Sequence, residues 1–370
     1  MERQKMKKKG FTLVELLVVI AIIAMLLAIL MPALSKVRQL AQRIMCSTNL
    51  SGIGKAMLTY ATDDKYESFP ISGSPGAYWD KGTGLQAGTC SWDWRNPKAF
   101  PETGQPPFKA TVSSCLYLLI KYADVSANQF VCPGSDQKKF EVKNYDLGTD
   151  YSGDTSTDVW DFGKKNAPGG ENPKAIGTRG KGHCSYSYEM PMIFIGATAI
   201  SGSGVSFQPT NHHASSTSNP SKAVLADRNP YWQYPSDSKT TALLYLWDAT
   251  NNRVVPSSIP KGNSTYHQTD GENVLFVDNH AHFEKSANCG VESDNIYTVW
   301  SATGKGPTTP GVIDSSKSPS EEMYRQCGAN AIASTNSNST RNLEPADNAY
   351  WPVVETDNYL VSDLDNDSST

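Results

Sequence analysis

A basic decapeptide, Met1 to Gly10, carries Arg3, Lys5, Lys7, Lys8 and Lys9 and runs straight into an apolar stretch whose one charge is Glu15. An ordinary secretory signal is cut after an apolar core of roughly 7 to 15 residues, so the core is discarded. Here the Gly10-Phe11 junction precedes the core, which therefore stays with the chain. Leu16 to Leu34 contains no charged residue. At about 1.5 Å per residue, a helix over that stretch approaches the roughly 30 Å of bilayer hydrocarbon. The cations on the short leading flank hold that end in the cytoplasm and place everything beyond Leu34 on the far side.

Glu15 separates a mere anchor from something more specific. A carboxylate near the centre of a spanning helix costs about 2.5 to 3.5 kcal/mol, and somewhat less near the interface. If cleavage after Gly10 frees the amine of Phe11, Glu15 becomes the fifth residue of the processed chain, and its carboxylate can meet that cation on a neighbouring helix. Gly10 offers a peptidase the smallest side chain beside the scissile bond. The run Gly10-Phe11-Thr12-Leu13-Val14-Glu15 closely resembles the cleavage and methylation motif of type IV prepilins and type II secretion pseudopilins. In that family a membrane peptidase cuts after the glycine and methylates the new terminus, and a proline occurs where Pro32 stands. Pro32 removes a backbone donor and is expected to kink or locally melt the helix. The resemblance implies a bacterial inner-membrane protein with its body periplasmic or extracellular. It also implies the partners: prepilin peptidase, an assembly ATPase acting through a membrane platform, and other pilin or pseudopilin subunits.

Beyond Pro32, Leu34, Val37, Ala41, Ile44, Leu50, Ile53, Met57 and Tyr60 recur at three and four, while Lys36, Arg38, Gln42, Arg43 and Lys55 fall largely off that stripe. This spacing predicts one amphipathic helical face. One helix over residues 11–62 would be about 75 Å long, with 11–34 in lipid and 35–62 packed on a domain. Gly52 and Gly54 each weaken it by about 1 kcal/mol and mark a place for a bend.

A second resemblance is independent of the first. Cys46-Ser47-Thr48-Asn49-Leu50, Phe130-Val131-Cys132-Pro133, Ser185-Tyr186-Ser187-Tyr188 and Ser221 to Asp227 are similar in order to segments of large pilin-like proteins of planctomycete and lentisphaeral bacteria. Members of that group end in a hairpin with a histidine, nine residues and an Asp-Gly turn. This chain has His267, ten residues, then Asp278-Asn279. Val274 to Val277 and His280 to Phe283 read as the two strands, with Asp278-Asn279 a tight I′ turn and one strand face turned to the core. Val112, Cys115, Leu116 and Leu119 predict one face of a short helix ending near Tyr122. The expected class is α+β: a pilin-like long helix, its first half transmembrane, packed on an antiparallel sheet with long loops. The divisions are a leader over 1–10, the helix over 11–62, a globular domain over 63–290 and an acidic extension over 291–370.

That extension holds 12 acids against 4 bases. Removing the leader takes five cations and one anion from a chain of net charge −4, leaving −8, the whole of which the extension carries. So acidic a chain, without a basic stripe, excludes nucleic acid as a partner class. The seven cysteines contain no C-x-x-C pair. With Cys46 left free on the helix, Cys90, Cys115, Cys132, Cys184, Cys289 and Cys327 are the disulfide candidates, and the sequence does not choose among their pairings.

Other constellations weigh less. Asp278, His280 and His282 would share a strand face as metal ligands, but the turn breaks that face. His212-His213 read as a solvated loop. Asp363, Asp365 and Asp367 look like the opening of a calcium loop but lack its glycine and its glutamate, so calcium is the only cofactor entertained, against a solvated tail. Trp79, Trp92, Trp94, Trp232 and Trp351 would suit a glycan-binding surface, against packing in loops. No nucleophile elbow, phosphate loop, dinucleotide fingerprint or His-Glu-x-x-His occurs, which argues against an enzyme. The expected role is a filament subunit; the alternative is a surface adhesin or ligand-binding module on the same anchor.

Overall fold

The computed structural model describes residues 13–64, 67–71, 78–79, 112–135, 137–141, 162, 183–189, 193–194, 214–230, 247–248, 250–251, 253–297 and 360–361. Helix α1 (Leu13–Asp63) runs unbroken through Pro32, Gly52 and Gly54. The local melting expected at Pro32 is thus absent from it.

Its two parts live in different surroundings. Up to Ala41 the helix is almost wholly exposed, and from Cys46 its inner face is Cys46, Leu50, Ile53, Gly54, Ala56, Met57 and Ala61. Leu34, Val37 and Ile44 stand exposed, so the predicted stripe divides: only its second half touches the domain. Gly54 is there for closeness. A Cβ at that position would lie 2.2 Å from Asn279 Oδ1 and 2.9 Å from both terminal carbons of Leu275.

The body is built on a sheet in which β2 (Tyr186–Glu189), β4 (Ala223–Asp227), β7 (Glu272–Phe276), β8 (Ala281–Glu284) and β9 (Leu360–Val361) lie in the order β8-β7-β4-β2-β9. Every pairing in it is antiparallel. Two smaller ladders pair β1 (Tyr78–Trp79) in parallel with β3 (Ile193–Phe194), and β5 (Trp247–Asp248) with β6 (Arg253–Val254). β2, β4 and β7 are buried at every position. Both faces of the central sheet are therefore covered, where the sequence pattern predicted one. Alternation puts Leu225, Asp227, Asn273 and Leu275 on the face toward α1, since Leu275 meets Gly54.

Helix α2 (Val112–Tyr122) is likewise buried all round from Val112 to Ile120. Tyr117, Phe130, Phe140 and Phe162 pack edge to face beside it, with ring centres 5.0–5.8 Å apart. A buried ion pair, Lys222 Nζ to Glu189 Oε1 at 2.6 Å, closes one end of the sheet, and Ala214 N–H donates to Glu189 Oε2. Burial raises the Glu189 carboxyl above its ordinary value, against the pull of Lys222.

The β7–β8 hairpin departs from the tight two-residue turn. Asn279 N–H donates to Phe276 O, Phe276 N–H donates to His280 O, and of the loop residues only Asn279 has positive φ, at 68°. Val277, Asp278 and Asn279 thus form a three-residue loop, a type I turn followed by a left-handed residue, for which asparagine serves in place of glycine. Ile296 and Tyr297, inside the acidic extension by composition, are fully buried.

Candidate functional site

Two features of α1 bear on function: its exposed apolar half and the turn of helix that holds the body. Glu15 lies in the first turn of the described helix, exposed, among Leu13, Val14, Leu16 and Leu17, which are exposed as well. α1 is long and apolar enough to cross a bilayer, and its apolar window is not buried in the body at all. An unburied surface of leucine, isoleucine and valine is stable in lipid or against other such helices. Gly10 and Phe11, the processing pair, lie outside the described residues, whereas Pro32 is exposed within the helix.

Residues 42 to 49 fasten the helix to the body, largely through groups the sequence pattern set aside as polar. Gln42 Nε2 donates to Pro133 O at 2.9 Å, Ser47 Oγ to Ala281 O at 3.3 Å and Asn49 Nδ2 to Val131 O at 3.4 Å. Arg43 pairs with Asp270 and lies 4.4 Å above the Phe283 ring. Cys46 forms a disulfide with Cys132. This corrects the expectation that Cys46 is free: it sits on the inner face, one turn before Leu50, opposite the turn after Phe130. Cys115 and Cys184 are buried and Cys289 is half-buried, and none of these three is joined to another described cysteine. Cys90 and Cys327 lie outside the described residues.

Against that disulfide stands a buried polar group that sequence reasoning missed. His267 Nε2 is 3.6 Å from Cys132 Sγ and 3.2 Å from Asp227 Oδ2. Asn273 donates to the same Oδ2 from its backbone N–H at 2.7 Å and from Nδ2 at 2.9 Å, and its Nδ2 lies 3.0 Å from His267 Nε2. Asp227 Oδ1 is buried with no hydrogen-bond partner. Gly134 N–H donates to Cys132 Sγ at 3.3 Å. A side chain at Gly134 would meet Tyr266 O at 2.7 Å, so glycine lets this turn close over His267. Cys46, Cys132 and Asp227 fall in three of the segments that carried the second resemblance, and His267 is the histidine of its hairpin pattern. That coincidence was the available signal.

The remaining candidates scatter. His280 Nδ1 pairs with Asp278 and its ring stacks on Phe276 at 4.3 Å, while His282 Nδ1 lies 3.1 Å from Glu284 Oε1. Each exposed histidine thus has its own carboxylate, and the three do not gather. Trp79 belongs to β1. His212, His213, Trp92, Trp94, Trp232, Trp351, Asp363, Asp365 and Asp367 lie outside the described residues.

Residues 5–31 match the prokaryotic N-terminal methylation motif. The match supports a type IV pilin-like family and a pilin- or pseudopilin-type precursor, anchored in the membrane by a single apolar helix. No curated protein and no solved structure matches the chain.

Proposed function

We propose that this chain is a structural subunit, a pilin or pseudopilin, of a type IV pilus or type II secretion-type filament, processed after Gly10 and held before assembly in the bacterial inner membrane, amino end inside. The observation that carries the reading is the matched motif continuing into a helix whose apolar half is unburied and bears Glu15 near its start. Such a subunit turns over no substrate. Moving the helix from lipid to a filament core exchanges one apolar setting for another, so packing and the pairing of Glu15 with a freed Phe11 amine must bias assembly. Repeating one head-to-tail contact without closure builds a fibre. The other participants on this reading are prepilin peptidase, a membrane platform and its ATPase.

Two measurements test it. Intact mass of the membrane-extracted protein is expected to show loss of residues 1–10 and one added methyl group; a chain still beginning at Met1 refutes the processing. Glu15→Ala is expected to leave insertion and cleavage intact and to lower the subunit's recovery in sheared filaments by about tenfold, the equivalent of roughly 1.4 kcal/mol. Normal recovery of that variant removes Glu15 from assembly.

A further inference from the structure

We propose that Cys46, Cys132, Asp227 and His267 bind one zinc ion when the two sulfurs are thiolates, so that the same point in the fold holds either a metal or a disulfide. The four side chains are buried, and their ligand atoms lie within 4.8 Å of one another. Two thiolates, an imidazole and a carboxylate are a donor set suited to zinc in a closed tetrahedral site.

The distances agree with that geometry. Zn–S of about 2.3 Å with Zn–N and Zn–O of about 2.0–2.1 Å puts sulfur and nitrogen about 3.6 Å apart, and nitrogen and oxygen about 3.3 Å apart. The spacings found are 3.6 Å from Cys132 Sγ to His267 Nε2 and 3.2 Å from His267 Nε2 to Asp227 Oδ2. The two sulfurs, once unbonded, would move apart to about 3.8 Å around the ion.

The surroundings have the form of an outer shell. Asn273 orients Asp227 through two N–H groups on Oδ2, Oδ1 is buried without a hydrogen bond, and a cation beside the carboxylate would offset the cost of burying it. Gly134 N–H points at Cys132 Sγ, and a donor aimed at sulfur favours the thiolate over the thiol. Two thiolates and a carboxylate around a divalent ion leave one net negative charge, which the Gly134 and Asn273 N–H groups face.

The chemistry balances with water as the proton acceptor and a disulfide as the oxidant. The chain is synthesised with thiols. On zinc binding each S–H bond breaks and each S–Zn bond forms, with two protons passing to water, while His267 binds as the neutral ring. Disulfide formation withdraws two electrons and two protons from the same pair by exchange with a disulfide oxidant, and thereby excludes the metal. The disulfide ties α1 to the turn after Phe130, and the metal would tie it to the end of β4 and to the turn before β7 as well.

Full-length protein in detergent, reduced by a phosphine and freed of metal, is to be titrated anaerobically with Co²⁺ and then with Zn²⁺. The expected result is one equivalent of cobalt with thiolate-to-metal charge-transfer absorption and the visible bands of a tetrahedral ion, displaced by zinc, and no binding to the oxidised chain. Cys289→Ser is expected to behave as the parent, and Asn273→Ala to bind about 10- to 100-fold more weakly. Reduced protein that takes up no stoichiometric cobalt, oxidised protein that binds it equally, or a Cys46→Ser/Cys132→Ser chain that keeps the absorption overturns the site. Should the reduced metal-free protein lose its near-ultraviolet circular dichroism, zinc is expected to restore it, and failure to do so also overturns the proposal.

Discussion

Gly54→Ala sets helix propensity against packing at one carbon atom. Alanine in place of glycine in a helix interior contributes about 1 kcal/mol. Here the added methyl would lie 2.2 Å from Asn279 Oδ1 and 2.9 Å from two carbons of Leu275, a fully buried side chain. Forcing extra volume into a filled core costs about 1–3 kcal/mol. Packing wins, and Gly54→Ala is expected to destabilise by up to about 2 kcal/mol net. Gly52→Ala is the internal control. Its Cβ would meet only Gln129 Oε1 at 3.1 Å, the far end of a flexible, half-buried side chain. That variant is expected to gain about 0.5–1 kcal/mol, opposite in sign. The assay is denaturant unfolding of the full-length protein in detergent. It should be read by near-ultraviolet circular dichroism, because the lipid-facing half of α1 remains helical in micelles and would mask a far-ultraviolet signal. If Gly54→Ala stabilises as much as Gly52→Ala, the close approach of α1 to β7 is not what selects glycine.

Two further predictions concern buried charges. Lys222→Met strands Glu189 beside the Ala214 N–H and is expected to cost about 3–5 kcal/mol, most of which Lys222→Met/Glu189→Gln restores; equal denaturant midpoints for the single variant and parent refute the ion pair's role. Glu272 is fully buried, and burial pushes its carboxyl well above the ordinary value, against the Ser264 N–H and reinforced by Asp227 and Glu284. An acid whose folded value is raised contributes stability below its unfolded value, about 4.3, and loses it as pH rises toward the folded value. Glu272→Gln is therefore expected to gain on the parent in unfolding midpoint as pH rises above about 4.3; parallel pH curves refute the raised Glu272.

The anchor was legible because its information is local: a charge step at Gly10, an uninterrupted apolar run and one acid in it. The α+β class and the β7–β8 hairpin were legible for the same reason, as contiguous β-prone residues around Asp278-Asn279. The buried cluster was not. Cys46 and Cys132 are 86 residues apart, and neither carries a second cysteine at metal-ligand spacing that would betray it. Asp227 ends an apolar strand and His267 ends a short turn, where polar residues usually signal exposure. Periodicity also misjudged where the helix docks: Leu34 and Val37 continue the apolar stripe, yet the body begins at Gln42, and the residues that fasten it there, Gln42, Arg43 and Asn49, are polar. Turn type failed for a smaller reason, since Asn279 satisfies a left-handed position in either kind of loop.

Strand β9 arrives last. Leu360 and Val361 cover the outer edge of β2, with Leu360 N–H donating to Ile296 O and Asn229 Nδ2 donating to Leu360 O. Since the ribosome makes the amino end first, β2 waits with an open row of amides and carbonyls while some 170 residues are still being added. An open strand edge recruits whatever extended chain is nearest. A premature stop between Glu284 and Leu360 would thus do more than shorten the protein: it would leave a permanently sticky margin on a molecule concentrated in a membrane among its own copies.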